Sequence, residues 1–477
     1  MMPLVRTPTA LATLILLGIS GLTVSCTDPS DTKPAIWMDG DVSDIEALST
    51  RDDLNVLFIL VDTLRADRLS AYGYGRDTSP TLANLARLGV RFDRHMAQSS
   101  WTKASMASLW TSYNPTRTGV INFDDIIPEA ATMPAEVLSQ NGFRTVGLYR
   151  NGWVSPKFGF GQGFDVYTRP APMKVDLEAF HANPTLQPRA NDEDVVKSAI
   201  EFLRVDGGQP WFLYMHLMDV HEYTYDESSA SFGGSYSDVY DNSILWTDTT
   251  LDLFLGTLLD RGFFGNTLIV ITSDHGEAFR ERGLEGHARF VFKETTEVPF
   301  ILLFPFRLTG EPIVIESRTR NVDIWPTLYD LLGIEPPEGL ADADGVSLVP
   351  EILAAARGEA APRGAEEREG FAHLLRGWGK QEIQDPTYAL ATRHLRYVAI
   401  EGERGPVEQL FDSREDPSEL NDLAPQRSDQ LEKLRQRAAD MANQEPAWGE
   451  PEARDLNELE LNQLRALGYA LPGDDGR

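Results

Sequence analysis

The stretch Leu54-Asn-Val-Leu-Phe-Ile-Leu-Val61, followed by Asp62, decides the fold. Apolar residues fill it almost without a break, so a strand built from it has no face suited to water. That is the pattern of a strand buried on both faces, as in a parallel sheet. Similar runs follow at 145–149, 211–216, 267–272 and 298–304. Helical patterns lie between them, at 80–88, 133–140, 192–203 and 237–259. Strands alternating with helices predict an α/β domain with a mainly parallel central sheet flanked by helices. Ligand sites in such sheets lie at the carboxyl ends of the strands.

Working outward, the 477 residues suffice for one large domain with an appendage. Residues 52–353 read as the main domain and 354–369, rich in Ala, Gly, Glu and Arg, as a linker. Residues 370–477 read as a smaller C-terminal α+β subdomain and tail, with a helix near 428–444. Residues 1–26 carry a basic start and a short apolar run ending in Leu22-Thr-Val-Ser-Cys26. This reads as a signal peptide whose end resembles a bacterial lipobox, with Thr23 where Leu is usual. Plain secretion and an uncleaved anchor are the alternatives. Polar residues 27–51 read as a tether. The chain is therefore expected to be exported and lipid-anchored in a bacterial envelope, periplasmic or at the outer membrane. That anchor is the only expected membrane contact. Cys26 is the single cysteine, so no intrachain disulfide can form. A net charge of −30 argues against nucleic acid as a partner. An anionic substrate would need local cations to hold it, and a metal ion is the simplest supply.

Two of the buried strands end in metal-capable side chains. The first delivers Asp62, and the run at 267–272 delivers Asp274 and His275, with Gly276 allowing a tight turn. A lone strand-end Asp is usually a helix cap. Two such ends with an adjacent Asp-His instead suit a divalent ion such as manganese, zinc or calcium.

The segments Asn55-Val-Leu-Phe-Ile-Leu-Val-Asp62-Thr-Leu-Arg, Tyr72-Gly-Tyr-Gly, Ser273-Asp-His-Gly-Glu277, Gly286-His287, Asp323-Ile-Trp-Pro326-Thr and Leu410-Phe-Asp-Ser-Arg-Glu-Asp-Pro417 occur in this order. Together they resemble the sulfatase family of the alkaline-phosphatase superfamily over about residues 55–421. The resemblance implies an α/β sandwich with a smaller C-terminal domain, one or two divalent metals, and hydrolysis of a sulfuric or phosphoric ester through a covalent intermediate. The expected partner is a small anionic ester, of a glycan or a lipid among other carriers.

In that family the nucleophile is formylglycine, made from a Cys in a Cys-x-Pro-Ser-Arg segment. The matching window, Trp101-Thr-Lys-Ala-Ser-Met-Ala-Ser-Leu-Trp-Thr-Ser112, holds no Cys, Pro or Arg. The register places Thr102 at the nucleophile position, as in the phosphoester branch of the superfamily, and Thr102 would also be a metal ligand. A bare Thr hydroxyl is a weak nucleophile until a metal lowers its pKa. A helix starting near Ser105 would add its N-terminal dipole. The alternative is that Thr102 is a plain N-cap. His221 matches a histidine that contacts the transferred group, and His287 stands where many sulfatases have a Lys and would protonate the leaving group. Asp219, His221 and His287 form an alternative second-metal cluster. Lys103 is expected either to stabilise transition-state charge or to be solvated, and Asn151 is a weak candidate. His95, His181, His373 and His394 read as structural. The favoured function is phosphodiester or phosphomonoester hydrolysis. The competitors are a sulfatase lacking a Cys-derived formylglycine, a phospho-headgroup transferase and a non-enzymatic binding lipoprotein.

Overall fold

The computed structural model describes residues 37–172, 190–205, 208–377, 386–458 and 461–462. The expected signal peptide and lipobox, the first part of the expected tether, and His181 lie outside these.

An eight-stranded sheet forms the centre. Its strands are β1 (Asn55–Val61), β2 (Val90–Met96), β3 (Arg144–Leu148), β4 (Val166–Thr168), β5 (Trp211–Leu217), β6 (Thr267–Thr272), β7 (Phe300–Leu303) and β8 (Ile313–Arg320). The spatial order is β8-β2-β7-β6-β1-β5-β3-β4. All neighbouring pairs are parallel except the two made by β7, which runs antiparallel between β2 and β6. The continuous apolar reading of β1 follows from its place between β5 and β6, where every residue is buried.

Strand alternation divides β1 between two cores. Val56, Phe58 and Leu60 join the core that holds helix α3 (Thr102–Thr111) and Trp325. Leu57, Ile59 and Val61 join the opposite core with Leu82 and Leu85 of α2 (Pro80–Leu88), Val195 of α4 (Asp192–Arg204), and Leu251 of α5 (Tyr236–Asp260). The Phe58 ring stacks 5.6 Å from Trp325 and lies 5.4 Å from Trp110.

A four-stranded antiparallel sheet follows, β9 (Gly370–Leu374) to β12 (Val407–Asp412) in sequence order. One face contributes Ala372, Ala389, Val398 and Phe411 to the main core. The other packs under Leu434 and Ala438 of the last helix (Ser428–Ala442). The buried Arg396 bridges the two parts, pairing with Glu419 at 2.8 Å and with Glu297. The mixed α/β sandwich with its smaller antiparallel appendage matches the fold expected from the sequence. Among the described residues no helix is long and apolar enough to cross a membrane.

Residues 38–51 depart from the tether reading. Met38–Gly40 pairs in parallel with Phe306–Leu308, and the helix α1 (Val42–Ala47) is closed by a capping box between Asp41 and Asp44. Ile45 and Leu48 are buried. Two apolar side chains one helical turn apart anchor an otherwise polar stretch.

Truncating Phe58 to Ala would leave a void among Trp110, Trp325 and Tyr214. A loss of about 3–5 kcal/mol is expected, against under about 0.5 kcal/mol for Leu253→Ala on the exposed face of α5. Urea unfolding of both variants checks this, and equal losses would contradict the placement of Phe58.

Candidate active site

β1 and β6 are hydrogen-bonded neighbours running the same way, so Asp62 and Asp274 emerge side by side. Both are fully buried, as is His275. One donor atom from each of the three lies within 4.8 Å of the others, a grouping that could hold a metal ion.

The hydrogen bonds around them leave a pattern of used and unused atoms. Asp62 Oδ2 accepts from Asn151 Nδ2 at 2.7 Å and lies 3.0 Å from His216 Nε2. Asp274 Oδ1 accepts the backbone N–H of Thr63 at 3.2 Å and of His275 at 3.0 Å. Asp62 Oδ1 and Asp274 Oδ2 have no hydrogen-bond donor. His275 Nδ1 lies 3.0 Å from the carbonyl oxygen of Gly276, which only a protonated Nδ1 can satisfy. Nε2 then carries the lone pair. It points at Asp274 Oδ2 (3.3 Å), Asp62 Oδ1 (3.9 Å) and Thr102 Oγ1 (3.1 Å). Two carboxylate oxygens, one imidazole nitrogen and one hydroxyl thus converge in a dry space, and among the described residues no Lys or Arg pairs with either carboxylate. Buried polar atoms are normally partnered, so this donor set fits a divalent ion.

The charges agree. Burial alone would raise Asp62, but the imidazoles of His221, His216 and His275 outweigh it and hold the carboxyl well below its usual range. Burial raises Asp274, and the charge of Asp62 raises it further. Two buried carboxylates competing for one proton are the state a metal ion relieves.

Thr102 is the first residue of α3, whose ten residues are all buried. Trp101, with extended backbone, holds the N-cap position, so Thr102 is not the cap. Its hydroxyl faces His275 Nε2 and lies 3.3 Å from Asn151 Nδ2. The helix starts three residues earlier than the sequence suggested, which puts Thr102 itself in the first turn.

Asn151 is better placed than its sequence signal indicated. Its Oδ1 accepts from the backbone N–H of Trp153 at 2.9 Å, which fixes the amide so that Nδ2 serves Asp62 and Thr102. His216 was not singled out beforehand. It is the penultimate residue of β5, beside Asp62, and Tyr214 Oη lies 2.8 Å from its Nδ1.

Gly276 differs from expectation in its reason. Its φ is not positive. A Cβ there would stand 2.3 Å from the carbonyl oxygen of Glu294, so close backbone approach demands the glycine. The positive φ belongs instead to Thr63, at 62°, directly after Asp62. Such strain in a non-glycine residue is typical of sites.

His221 and His287 close the outer side. The His287 ring lies 4.7 Å from that of His275 and 4.9 Å from that of His221. His221 is buried with neither nitrogen hydrogen-bonded, and burial pushes its pKa down to about 4. His287 Nδ1 lies 3.2 Å from Glu277 Oε2. Burial lowers the His287 pKa, but the Glu277 carboxylate outweighs it and sets it above the ordinary value. Tyr223 Oη donates to the same carboxylate at 3.0 Å. Glu277 and Tyr223 were missed as site residues, since nothing in sequence marks a second-layer partner.

Two candidates move away. Asp219 pairs with Arg150 at 2.6 Å and accepts from Trp246 Nε1 at 3.0 Å, so it does not join His221 and His287 in a second metal cluster. Lys103 is buried on the far side of the helix. Its Nζ donates to the carbonyls of Phe123 (2.9 Å) and Asn122 (3.3 Å) and lies 3.9 Å from the Phe158 ring centroid. Its charge partners are Asp125 and Asp124, and burial pushes its pKa down to about 7. It is neither solvated nor turned toward the Thr102 hydroxyl. His95 bonds Thr319 and Asn321 inside the core, as a structural histidine does.

Comparison with known proteins places the chain in a family. The sulfatase family model matches residues 54–334. Arylsulfatase K of Xenopus laevis is 20% identical, aligned over 80% of this chain and 81% of that one. The phosphonate monoester hydrolase of Agrobacterium radiobacter superimposes with a TM-score of 0.66 at 19% identity, covering 84% of this chain and all of that one. A structure in complex with its substrate D-glucosamine-2-N,6-O-disulfate superimposes with a TM-score of 0.64 at 17% identity, covering 81% and 97%. The chain belongs to the sulfatase family, ester hydrolases of the alkaline-phosphatase superfamily.

If the unpaired carboxylate oxygens hold a cation, metal should stabilise the fold. Manganese or zinc at about 100 times its Kd is expected to add about 2.7 kcal/mol. Asp274→Ala should fold yet show no metal-dependent rise in Tm and retain no metal after dialysis. An equal Tm rise in the variant would remove the assignment.

Proposed function

We propose that this protein is a metal-dependent phosphoester hydrolase, acting on a phosphodiester or phosphomonoester, with Thr102 as nucleophile. The observation that carries the reading is the Thr102 hydroxyl, held by His275 Nε2 and Asn151 Nδ2 against two unpaired carboxylate oxygens. A divalent ion held by Asp62, Asp274, His275 and Thr102 would supply Lewis acidity that lowers the hydroxyl's pKa.

The protein's own groups account for the remainder. Asn151 and His275 fix the Thr102 oxygen for in-line attack; with its proton released to solvent, that oxygen forms the O–P bond and the bond to the leaving oxygen breaks. His287, held protonated by Glu277, gives that oxygen its proton. The N-terminus of α3 and the free nitrogens of His221 face the transferred group. Water then attacks phosphorus, its proton passing to the His287 imidazole that the first step left neutral, and the P–O bond to Thr102 breaks. Lys103 has no part in these steps.

A second reading, sulfate ester hydrolysis at the same site, is favoured by the family as a whole. It requires threonine to replace a formylglycine, since the window 101–112 contains no cysteine.

Purified enzyme should hydrolyse bis(4-nitrophenyl) phosphate or 4-nitrophenyl phosphate with manganese, zinc or calcium in clear preference to 4-nitrophenyl sulfate. Thr102→Ala should keep its metal and lose at least about 10³-fold in kcat. A wild-type rate in that variant refutes the nucleophile, and a preference for sulfate refutes the phosphoester assignment.

The Glu277–His287 pair sets a pH dependence. A histidine whose pKa is raised stays protonated until pH passes the raised value, so the rate on poor leaving groups should fall on the alkaline side. Glu277→Gln should move that limb to lower pH. Activated nitrophenyl leaving groups should feel the change far less. An unmoved alkaline limb would exclude His287 as the proton donor.

A further inference from the structure

Arg289 lies two residues past His287 and is partly buried. Its guanidinium makes no hydrogen bond or ion pair among the described residues, and its Nε is shielded from solvent. Nε and Nη2 stand 3.8 and 4.0 Å from the point a Cβ on Gly286 would occupy, and Glu277 Oε1 stands 3.7 Å from that point. The guanidinium and the Glu277 carboxylate therefore flank Gly286, next to His287 in the chain. Its charge also acts on the hydroxyl of Tyr236, a residue 39% exposed, which places it at the open rim of the site.

This isolation is unusual for the chain. Acidic residues number 73 against 43 basic ones. Arg65, Arg150, Arg282, Arg318 and Arg396, all well buried, each meet a carboxylate. A partly buried guanidinium forgoes solvation that a partner would normally replace. On a surface this acidic, unpaired positive charge beside the site is a local exception to a field that repels anions.

We propose that Arg289 binds a second anionic group, a carboxylate, sulfate or phosphate, on the leaving-group part of the ester, so that the substrate is a polyanion. The position follows from His287, which faces the leaving oxygen, with Arg289 beyond it toward solvent. The planar fork of a guanidinium suits any of these oxyanions in a bidentate pair. The inference rests on the ester-hydrolase reading of the site and adds the charge of its substrate.

The test compares two aryl esters of equal size, 4-carboxyphenyl and 4-carbamoylphenyl, each as phosphate and as sulfate, on the metal-loaded enzyme. The readout is the ratio of kcat/KM for the carboxylate over the carboxamide. Wild type should favour the carboxylate by about tenfold. Arg289→Gln should bring the ratio close to one, and Arg289→Lys should keep part of it. Because the ratio is internal to each variant, a general loss of activity does not move it. A wild-type ratio near one, or an unchanged ratio in Arg289→Gln, overturns the proposal. Turnover of neither ester by wild type overturns the hydrolase reading itself, an outcome distinct from turnover without preference.

Discussion

Asp62 and Asp274 are forced together by backbone pairing. Adjacent parallel strands lie about 5 Å apart, and both carboxylates leave the sheet at the same end with no exposure to water. Like charges so placed cannot both stay ionised in a dry site unless a cation joins them. Burial keeps His221 neutral at ordinary pH, and His287 is paired with Glu277 rather than with either of these carboxylates. The surrounding donors divide the oxygens instead. Asn151, His216 and the amides of Thr63 and His275 serve Oδ2 of Asp62 and Oδ1 of Asp274. The other two oxygens are left facing Thr102 and His275. Much of the local structure follows from this division, including the positive φ at Thr63 that aims its N–H at Asp274.

The parts of this arrangement that could be read from sequence are those set by strand periodicity. Continuous apolar runs located β1, β5 and β6, and the residues just past β1 and β6 carry the group that could hold a metal ion. The edge-side strand β2 was hidden because Arg91, Asp93 and Arg94 interrupt its apolar pattern, although Val90 and Phe92 are fully buried. The antiparallel sense of β7 was equally hidden, since a buried run reads the same in either direction. Asn151 and His216 act through contacts between residues far apart in sequence, 89 positions in the case of Asn151 and Asp62. No local pattern encodes such pairs. Lys103 failed for a related reason. Its neighbour Thr102 faces the metal ligands, and successive helical residues point about 100° apart, so adjacency in sequence argued for a proximity that helix geometry denies.

The loops carrying Asn151 and His221 share one brace. Arg150 pairs with Asp192 and Asp219 at 2.6 Å each and with Glu222 at 2.5 Å. Asp192 in turn accepts the backbone N–H groups of Met218 and Asp219. The chain segments after β3 and β5 are thereby joined to the start of α4. Asp219, though near His221 in sequence, is consumed in this brace. Its carboxyl is pushed up to about 7 by burial and by Asp192, as expected where three acids share one guanidinium.

Thr102 completes the argument about rigidity. It is β-branched, buried, and fixed in the first turn of a helix with no exposed residue. Its hydroxyl is held from two sides, by groups that also serve the carboxylates. A side chain so confined has little rotamer freedom to lose when a substrate arrives, which is the entropic part of a barrier that positioning can remove. A cysteine at the same place would have to be converted to an aldehyde hydrate before it could offer an equivalent oxygen. In the proposed reaction threonine presents that oxygen directly, and the task that remains is deprotonation, which a cation held by Asp62, Asp274 and His275 would favour by lowering the hydroxyl's pKa.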